Sequence, residues 1–239
     1  MLSQLHDFWS EYRKIIIPVM IVLSIGYLSL FFKIGIFFED TFLEKSSEGS
    51  ITSYVGKNVE GRIRIDVKEF DSEKSIVTYR LPNQLEFHYT VLSIKEAYKK
   101  HYQIEILDDK DDTVFKGTYD ADGFYLRDDS GEIVFDYDIS GFGYDNKRFL
   151  SSYRPSFLTT VKRSLLENET YRGDGGYLAV AIILSVFIII DINNPLFFFY
   201  LRNALSVKDP EPSELYMTLQ HIAWIVYPFM IFILLIIAL

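Results

Sequence analysis

The sequence predicts an α+β membrane protein with three transmembrane helices and an antiparallel β-rich domain inserted between the first and the second. Three observations predict it. Uncharged apolar runs stand at 15–32 (IIIPVMIVLSIGYLSLFF), 177–190 (YLAVAIILSVFIII) and 222–239 (IAWIVYPFMIFILLIIAL). Between the first two runs, apolar and polar residues alternate with period two, and Asp- and Gly-rich breaks punctuate the alternation. The formal charge of −9 is concentrated in that same stretch.

A bilayer core about 30 Å thick calls for a helix of about 20 apolar residues. The first and third runs meet that length. A soluble domain has little use for them, since a helix on its surface shows water a polar face. The second run reaches spanning length only with Gly175, Gly176 and Asp191 added, and a tilted or re-entrant helix is its alternative. Arg13 and Lys14 before the first run suit a signal peptide, but the run is longer than a signal core and no small-x-small cleavage site follows. An uncleaved anchor is expected. The resulting division is a cytoplasmic interfacial segment at 1–14, spans at 15–35, 176–192 and 221–239, an extracytoplasmic domain at 36–175, and an interfacial connector at 193–220.

In 1–14, Leu5, Phe8, Trp9 and Tyr12 recur at helical spacing, which places Trp9 in the aromatic belt at the membrane surface. Pro18 is read as an early helical position, where a missing N–H costs least. Residues 41–58, rich in Ser, Thr and Gly, read as a linker. Beyond them Ile63, Ile65 and Val67 alternate with charged residues, so a half-buried strand starts near 60. Residues 75–80 and 85–93 read as further strands, and 94–100 as a helical turn or an edge loop. In 101–138 the breaks DDKDD, DADG and DDSG supply turn chemistry, giving strands at about 102–107, 113–119, 124–127 and 132–138 in a meander. Residues 155–170 switch to helical period, with Phe157, Leu158, Val161, Leu165 and Leu166 on one face, so a helix near 156–169 is expected to close one face of the sheet. Residues 171–176 form a hinge.

In the connector, Asn194 is placed to cap and Pro195 to open a short helix. Phe197, Phe198 and Phe199 in that helix call for burial in the headgroup plane. Glu211, Pro212 and Ser213 make an acidic turn, with Ser213 as a cap or Pro212 as the first residue of the last helix. Pro228 lies inside the third span and is expected to kink it.

The chemistry is sparse. With no cysteine, disulfides, thiolate catalysis and Cys-ligated zinc are excluded. An acidic domain disfavours nucleic acid, whose phosphates need a basic face. His6, His88, His101 and His221 lack metal-site spacing. The turn carboxylates Asp108, Asp109, Asp111, Asp112, Asp128 and Asp129 have the oxygen chemistry calcium takes. They lack a twelve-residue loop closed by Glu, however, and solvated turns are the plainer reading. No GxSxG, Walker loop or GxGxxG occurs, so no catalytic residue and no cofactor is expected. GFGYD at 141–145 reads as a turn or bulge. Asp191, at the edge of a span, is read as lying at headgroup level.

The stretch from Asn193 to Tyr227, NNPLFFFYLRNALSVKDPEPSELYMTLQHIAWIVY, resembles a family of small bacterial membrane proteins of unknown function. The shared pattern is Asn194–Pro195 after a span, aromatic Phe197–Tyr200, the turn Glu211–Pro212–Ser213, and a final span. Where that family carries Trp near the Asn-Pro and Gly in the last span, this chain has Phe or Leu and Ile-Ala. The resemblance implies a multi-pass protein of a bacterial plasma membrane and brings no activity.

These readings favour a membrane-anchored binding or sensing module, or an accessory subunit of a membrane complex. Its partners are the lipid bilayer and another membrane protein, and its ligand is undefined. A structural or assembly protein of the cell envelope is the alternative, and an enzyme or transporter component a third. Spans without intramembrane charge do not readily build a polar pathway.

Overall fold

The computed structural model describes residues 2–95, 101–134, 148–203 and 211–239, without the side chains of 2–13, 16 and 17. The chain forms two units, Met1–Lys33 with Arg172–Leu239, and Ile34–Tyr171.

The second unit is one antiparallel sheet with a helix on its inner face. Its strands are β1 (Ile34–Phe38), β2 (Thr41–Glu48), β3 (Ile51–Lys57), β4 (Arg62–Glu69), β5 (Lys74–Leu81), β6 (Leu85–Lys95), β7 (His101–Leu107), β8 (Thr113–Asp120), β9 (Tyr125–Asp128), β10 (Ile133–Val134) and β11 (Thr170–Tyr171). β1 to β10 pair in chain order as a continuous meander, and β11 returns to pair with β1. Helix α2 (Phe157–Ser164) packs on β4, β5 and β6. Period two does what it promised: Ile63, Ile65 and Val67 on β4, Val77, Tyr79 and Leu81 on β5, and Ile104 and Ile106 on β7 all point into one core. The opposite face carries polar ladders. Asp66 accepts from Ser53 at 2.6 Å and Arg64 at 2.8 Å and pairs with Arg80, which also bonds Glu86 at 3.0 Å.

Several expectations need correction here. Residues 41–58 are not a linker, because β2 and β3 occupy 41–48 and 51–57. Ser46 and Ser53 face the wet side, where Ser53 bonds Asp66, while Leu43 and Tyr54 are fully buried, so composition hid a half-buried pair. The first helix, α1 (Leu2–Phe31), stops short of 35, and Ile34–Phe38 is a strand with Ile36 and Phe38 buried. Since α1 begins at Leu2, Pro18 lies well inside it. Helix α2 ends at Ser164. Leu166 and Asn168 then take positive φ of 52° and 62°, which ends helical geometry before the expected 169. Thr170, at the end of the helical-period stretch, and Tyr171, placed in the hinge, form strand β11. The reading of 94–100 is settled only at 94–95, the end of β6. Residues 135–138 and the GFGYD turn lie outside the described residues, as does the side chain of Trp9.

The first unit holds α1, α3 (Gly175–Asn193), α4 (Phe197–Asn203) and α5 (Glu214–Ile237). Two of these, α3 and α5, are long and apolar enough to cross a membrane. Nineteen residues make α3 about 28 Å long, so the run of doubtful length does reach. The Asp174 side chain caps α3 by accepting from Gly176 N at 2.7 Å. Ser213 caps α5 by accepting from Tyr216 N at 3.2 Å, and Glu214 in the first turn suits the positive helix end. Pro212 therefore precedes the helix, and Glu211 is exposed. α5 continues as helix past Pro228. Asn194 turns out to be the C-cap of α3, and Leu196, at φ 76°, delays α4 to Phe197, so Pro195 sits in the turn. At the end of α1, Gly173 N bonds Phe31 O at 3.0 Å and Arg172 N bonds Lys33 O at 2.8 Å. A Cβ on Gly173 would lie 2.0 Å from the Phe31 ring, so only glycine lets these strands of chain approach.

Candidate functional site

The sequence-predicted calcium residues are spent on their own turns. Asp108 Oδ1 accepts from Lys110 N at 2.9 Å and Asp112 N at 3.0 Å. Asp128 Oδ1 accepts from Ser130 N at 2.9 Å, Ser130 Oγ at 2.6 Å and Glu132 N at 3.0 Å. The Ser130 hydroxyl and these amides hold the Asp128 carboxyl below its ordinary range. Among the described residues no three His, Asp or Glu side chains gather as a metal site, so Asp109, Asp111, Asp112 and Asp129 are not brought together with them. His88 bonds Thr78 at 3.2 Å, and His101 faces Asp120 at 3.2 Å.

The structure instead offers a groove in the sheet unit. β6 is 11 residues long, yet β7 pairs only with Thr90–Lys95. At Leu107 the register shifts and the chain turns away through Asp108–Asp112. Where β7 would have continued, a groove of about 410 Å³ opens. It is lined by apolar Phe87, Tyr89, Val114, Pro155 and Phe157, by the acids Glu86, Asp108 and Asp109, and by His88 and Arg154. Arg154 stacks 5.2 Å above the Phe87 ring and donates to the carbonyls of Ser151 and Tyr153 at 3.2 and 2.7 Å.

Below the sheet lies a polar cluster that sequence reading missed. Arg163 on α2 is only 6% exposed, and its Nε has no partner. One terminal nitrogen reaches Glu167 O at 3.4 Å. Burial pushes the guanidinium down from its ordinary value, while Tyr79, Tyr54, Glu169 and Glu167 pull it back up. Tyr119 donates to Glu167 Oε2 at 2.6 Å, and Tyr54 to Glu169 Oε1 at 2.5 Å. Lys45 completes an ion pair to Glu169 at 2.7 Å. The Thr160 hydroxyl gives its one proton to Ser156 O at 2.9 Å, so Tyr79, 3.1 Å away, is the donor to Thr160. Burial, helped by glutamate neighbours at Tyr54 and Tyr119, raises all three phenols well above their ordinary value. The cluster pins the irregular 165–169 segment to β3 and β8, and helix α2 to β5. A signal was present: three Tyr at inward positions of alternating strands imply polar tips in a core, and Thr160, Arg163 and Ser164 fall on one helix face.

In the helical unit, Asp191 on α3 is clasped by α5. Gln220 Nε2 donates to Oδ1 at 2.9 Å and Trp224 Nε1 to Oδ2 at 2.7 Å. Gln220 is buried. The carboxylate is therefore turned toward a neighbouring helix, which a headgroup-level reading did not foresee. Of the three phenylalanines, Phe198 packs on Phe187 of α3 at 5.5 Å and Phe199 on Tyr216 of α5 at 5.0 Å, while Phe197 is exposed.

No family model matches the chain, and neither a curated protein nor a solved structure matches it. The fold itself defines the class: an eleven-stranded antiparallel sheet unit carried in a chain with two helices long and apolar enough to cross a membrane.

Proposed function

We propose that the protein is a membrane-anchored binding module, the accessory subunit of a membrane complex. The observation that carries this reading is the division of surfaces. The helices turn Ile182, Ile183, Phe229 and Phe232 outward, whereas the outer sheet face carries Arg64, Arg80, Glu86 and His88. A helix dressed in exposed isoleucine suits lipid, and a sheet dressed in ion pairs suits water. In this reading α1 is a third span, α4 lies in the interface, and the anchor sits in a bacterial plasma membrane, as the resemblance of 193–227 implies. Arg13 and Lys14 before the first span place the N-terminus and the 193–220 connector inside and the sheet unit outside, because the first helix usually dominates and charges in long domains count less. Neither unit offers an activated nucleophile among the described residues, while the groove beside β6 is suited to binding.

The test is purification in mild detergent. A stoichiometric membrane partner is the expected result, and a chain that runs alone at every detergent concentration would contradict the subunit reading. Protease added to intact protoplasts tests the orientation: cleavage within 40–175 with 193–220 protected is expected, and cleavage of the sheet unit only after lysis would reverse it.

A further inference from the structure

We propose that the groove beside β6 binds an extended, basic segment of a partner protein by strand addition; this rests on the binding-module reading and names its partner's chemistry. Three features converge on one place. From Leu85 to His88, β6 pairs with β5 on one side, Leu81 to Thr78, and with no described residue on the other. A strand with one side unpaired presents N–H and C=O groups at alternate positions, a ready template for another strand. Natural sheets usually blunt such edges, and at one end of this sheet stands the two-residue strand β11.

The second feature is the groove itself. An added strand at β7's position projects alternate side chains to either face of the sheet. One set meets Phe87 and Phe157 on the inner side, with Pro155 beside them, and the other set lies on the outer side, which Val114 shares with Glu86 and His88. Pro155 has no N–H, so the neighbouring chain segment offers no donor there.

The third is charge. Glu86 is already paired with Arg80, and Asp108 Oδ1 is held by its turn. Asp108 lines the groove. Asp109 makes no hydrogen bond or ion pair among the described residues. Of the basic lining residues, His88 bonds Thr78 and lies 3.5 Å from Glu86, and Arg154 is committed to two backbone carbonyls and the Phe87 face. The uncommitted charge at the rim is thus negative, and it selects lysine or arginine on the incoming strand and repels an acidic one. The occupant is therefore a short extended segment alternating apolar and basic residues.

The experiment uses the full chain in detergent micelles and a fluorescein-labelled Lys-Phe-Lys-Val-Lys peptide. Fluorescence anisotropy is expected to saturate, and hydrogen exchange of the 85–88 amides to slow when peptide is bound. Asp109→Lys, at an exposed turn, is expected to weaken binding by about tenfold or more, and so is Val114→Arg, which adds a cation to the outer side of the groove. The same peptide N-methylated at alternate amides is expected to lose binding, because it cannot complete the ladder. Equal binding of the N-methylated peptide, equal binding of a Glu-Phe-Glu-Val-Glu peptide, or unchanged exchange at 85–88 would each overturn strand addition. Absence of peptide binding alongside a co-purifying membrane partner would overturn this inference and leave the binding-module reading standing. Absence of both would remove both.

Discussion

The sheet unit and the helical unit hide opposite things. In the sheet unit the apolar side chains are inside and the ion pairs outside. In the helical unit isoleucine, valine and phenylalanine cover the exterior, and the polar contact Asp191–Gln220–Trp224 is turned inward between α3 and α5. Each unit nevertheless turns an ionisable side chain inward, Asp191 half-buried and Arg163 buried, and the two solutions differ. Asp191 is met at both oxygens by neutral donors from a single neighbour. Arg163 has Tyr54 and Tyr79 of two strands and Glu167 and Glu169 of the segment after its own helix nearby, and still leaves Nε unpartnered. A surface is dressed for its solvent, while a buried charge is dressed by whatever the fold brings near. Asp191 takes two fixed neutral donors, whereas Arg163 takes its counter-charges from the adjacent Glu167 and Glu169 and only phenols from the strands.

The largest effect should come from placing a charge in the sheet core. Ile65→Asp puts an unpaired carboxylate where no solvent reaches, costing on the order of 4–5 kcal/mol. The sheet unit should become protease-sensitive in the purified protein while α3–α5 survives. Survival of the sheet to limited proteolysis would contradict the assigned core.

A step smaller is Ile183→Asp on the exposed face of α3. Facing lipid it costs about 2.5–3.5 kcal/mol of insertion energy. Facing water it would cost nearly nothing, as Val59→Asp should on the sheet unit, within about 0.5 kcal/mol. Insertion assays on the matched pair should separate by that margin.

The core tyrosines come next. Tyr119→Phe and Tyr54→Phe each remove a hydrogen bond to a carboxylate and should cost about 1.5–3 kcal/mol, whereas Tyr79→Phe, which loses a neutral bond, should cost about 1 kcal/mol. Chemical denaturation reads all three. pH supplies a second handle. The three phenols have raised folded-state values, so their stabilisation is complete below the unfolded value near 10.0 and is lost as pH rises beyond it. Asp66 and Glu169 behave in the opposite sense. Burial raises each, but the hydroxyl and cationic partners outweigh it and leave both below the ordinary carboxylate range. Their contribution is present above the unfolded value and is lost as pH falls through the folded one. The Tyr119→Phe and Tyr54→Phe proteins should therefore tolerate alkali better, relative to their own neutral stability, than the parent.

The smallest effect is expected at the helical clasp. A double-mutant cycle on Asp191→Leu and Trp224→Phe should give a coupling of about 1 kcal/mol, within the range known for hydrogen bonds between membrane helices. A coupling of zero would mean that apolar packing alone holds α3 to α5.

How much of this was legible in the sequence depended on whether the signal was local. Strands β4 to β9 are marked by alternation and by Asp/Gly turns, both readable in short windows, and their edges fell within a few residues of expectation. β1 to β3 were not legible. Ile34–Phe38 continues the apolar texture of the preceding helix, and 41–57 has the Ser/Thr/Gly texture of a loop. What makes them strands is pairing with each other, with β4 and with β11, the last more than a hundred residues away along the chain. The groove was invisible for a related reason. It exists because β7 ends before β6 does, a mismatch in strand length that no residue of either strand announces. Asp109 was noticed as an acidic turn residue, but that it lines one groove with Phe87 and Phe157 is set by where the strands end.

The central claim, that the two units face different solvents, is tested most directly by spin labels at 183 and 59. The chain has no cysteine, so Ile183→Cys and Val59→Cys each carry a single label without background. In lipid nanodiscs the label at 183 should be relaxed by oxygen, which concentrates in the bilayer, and shielded from a water-soluble nickel chelate. The label at 59 should show the reverse. Equal nickel accessibility at the two positions would contradict the claim.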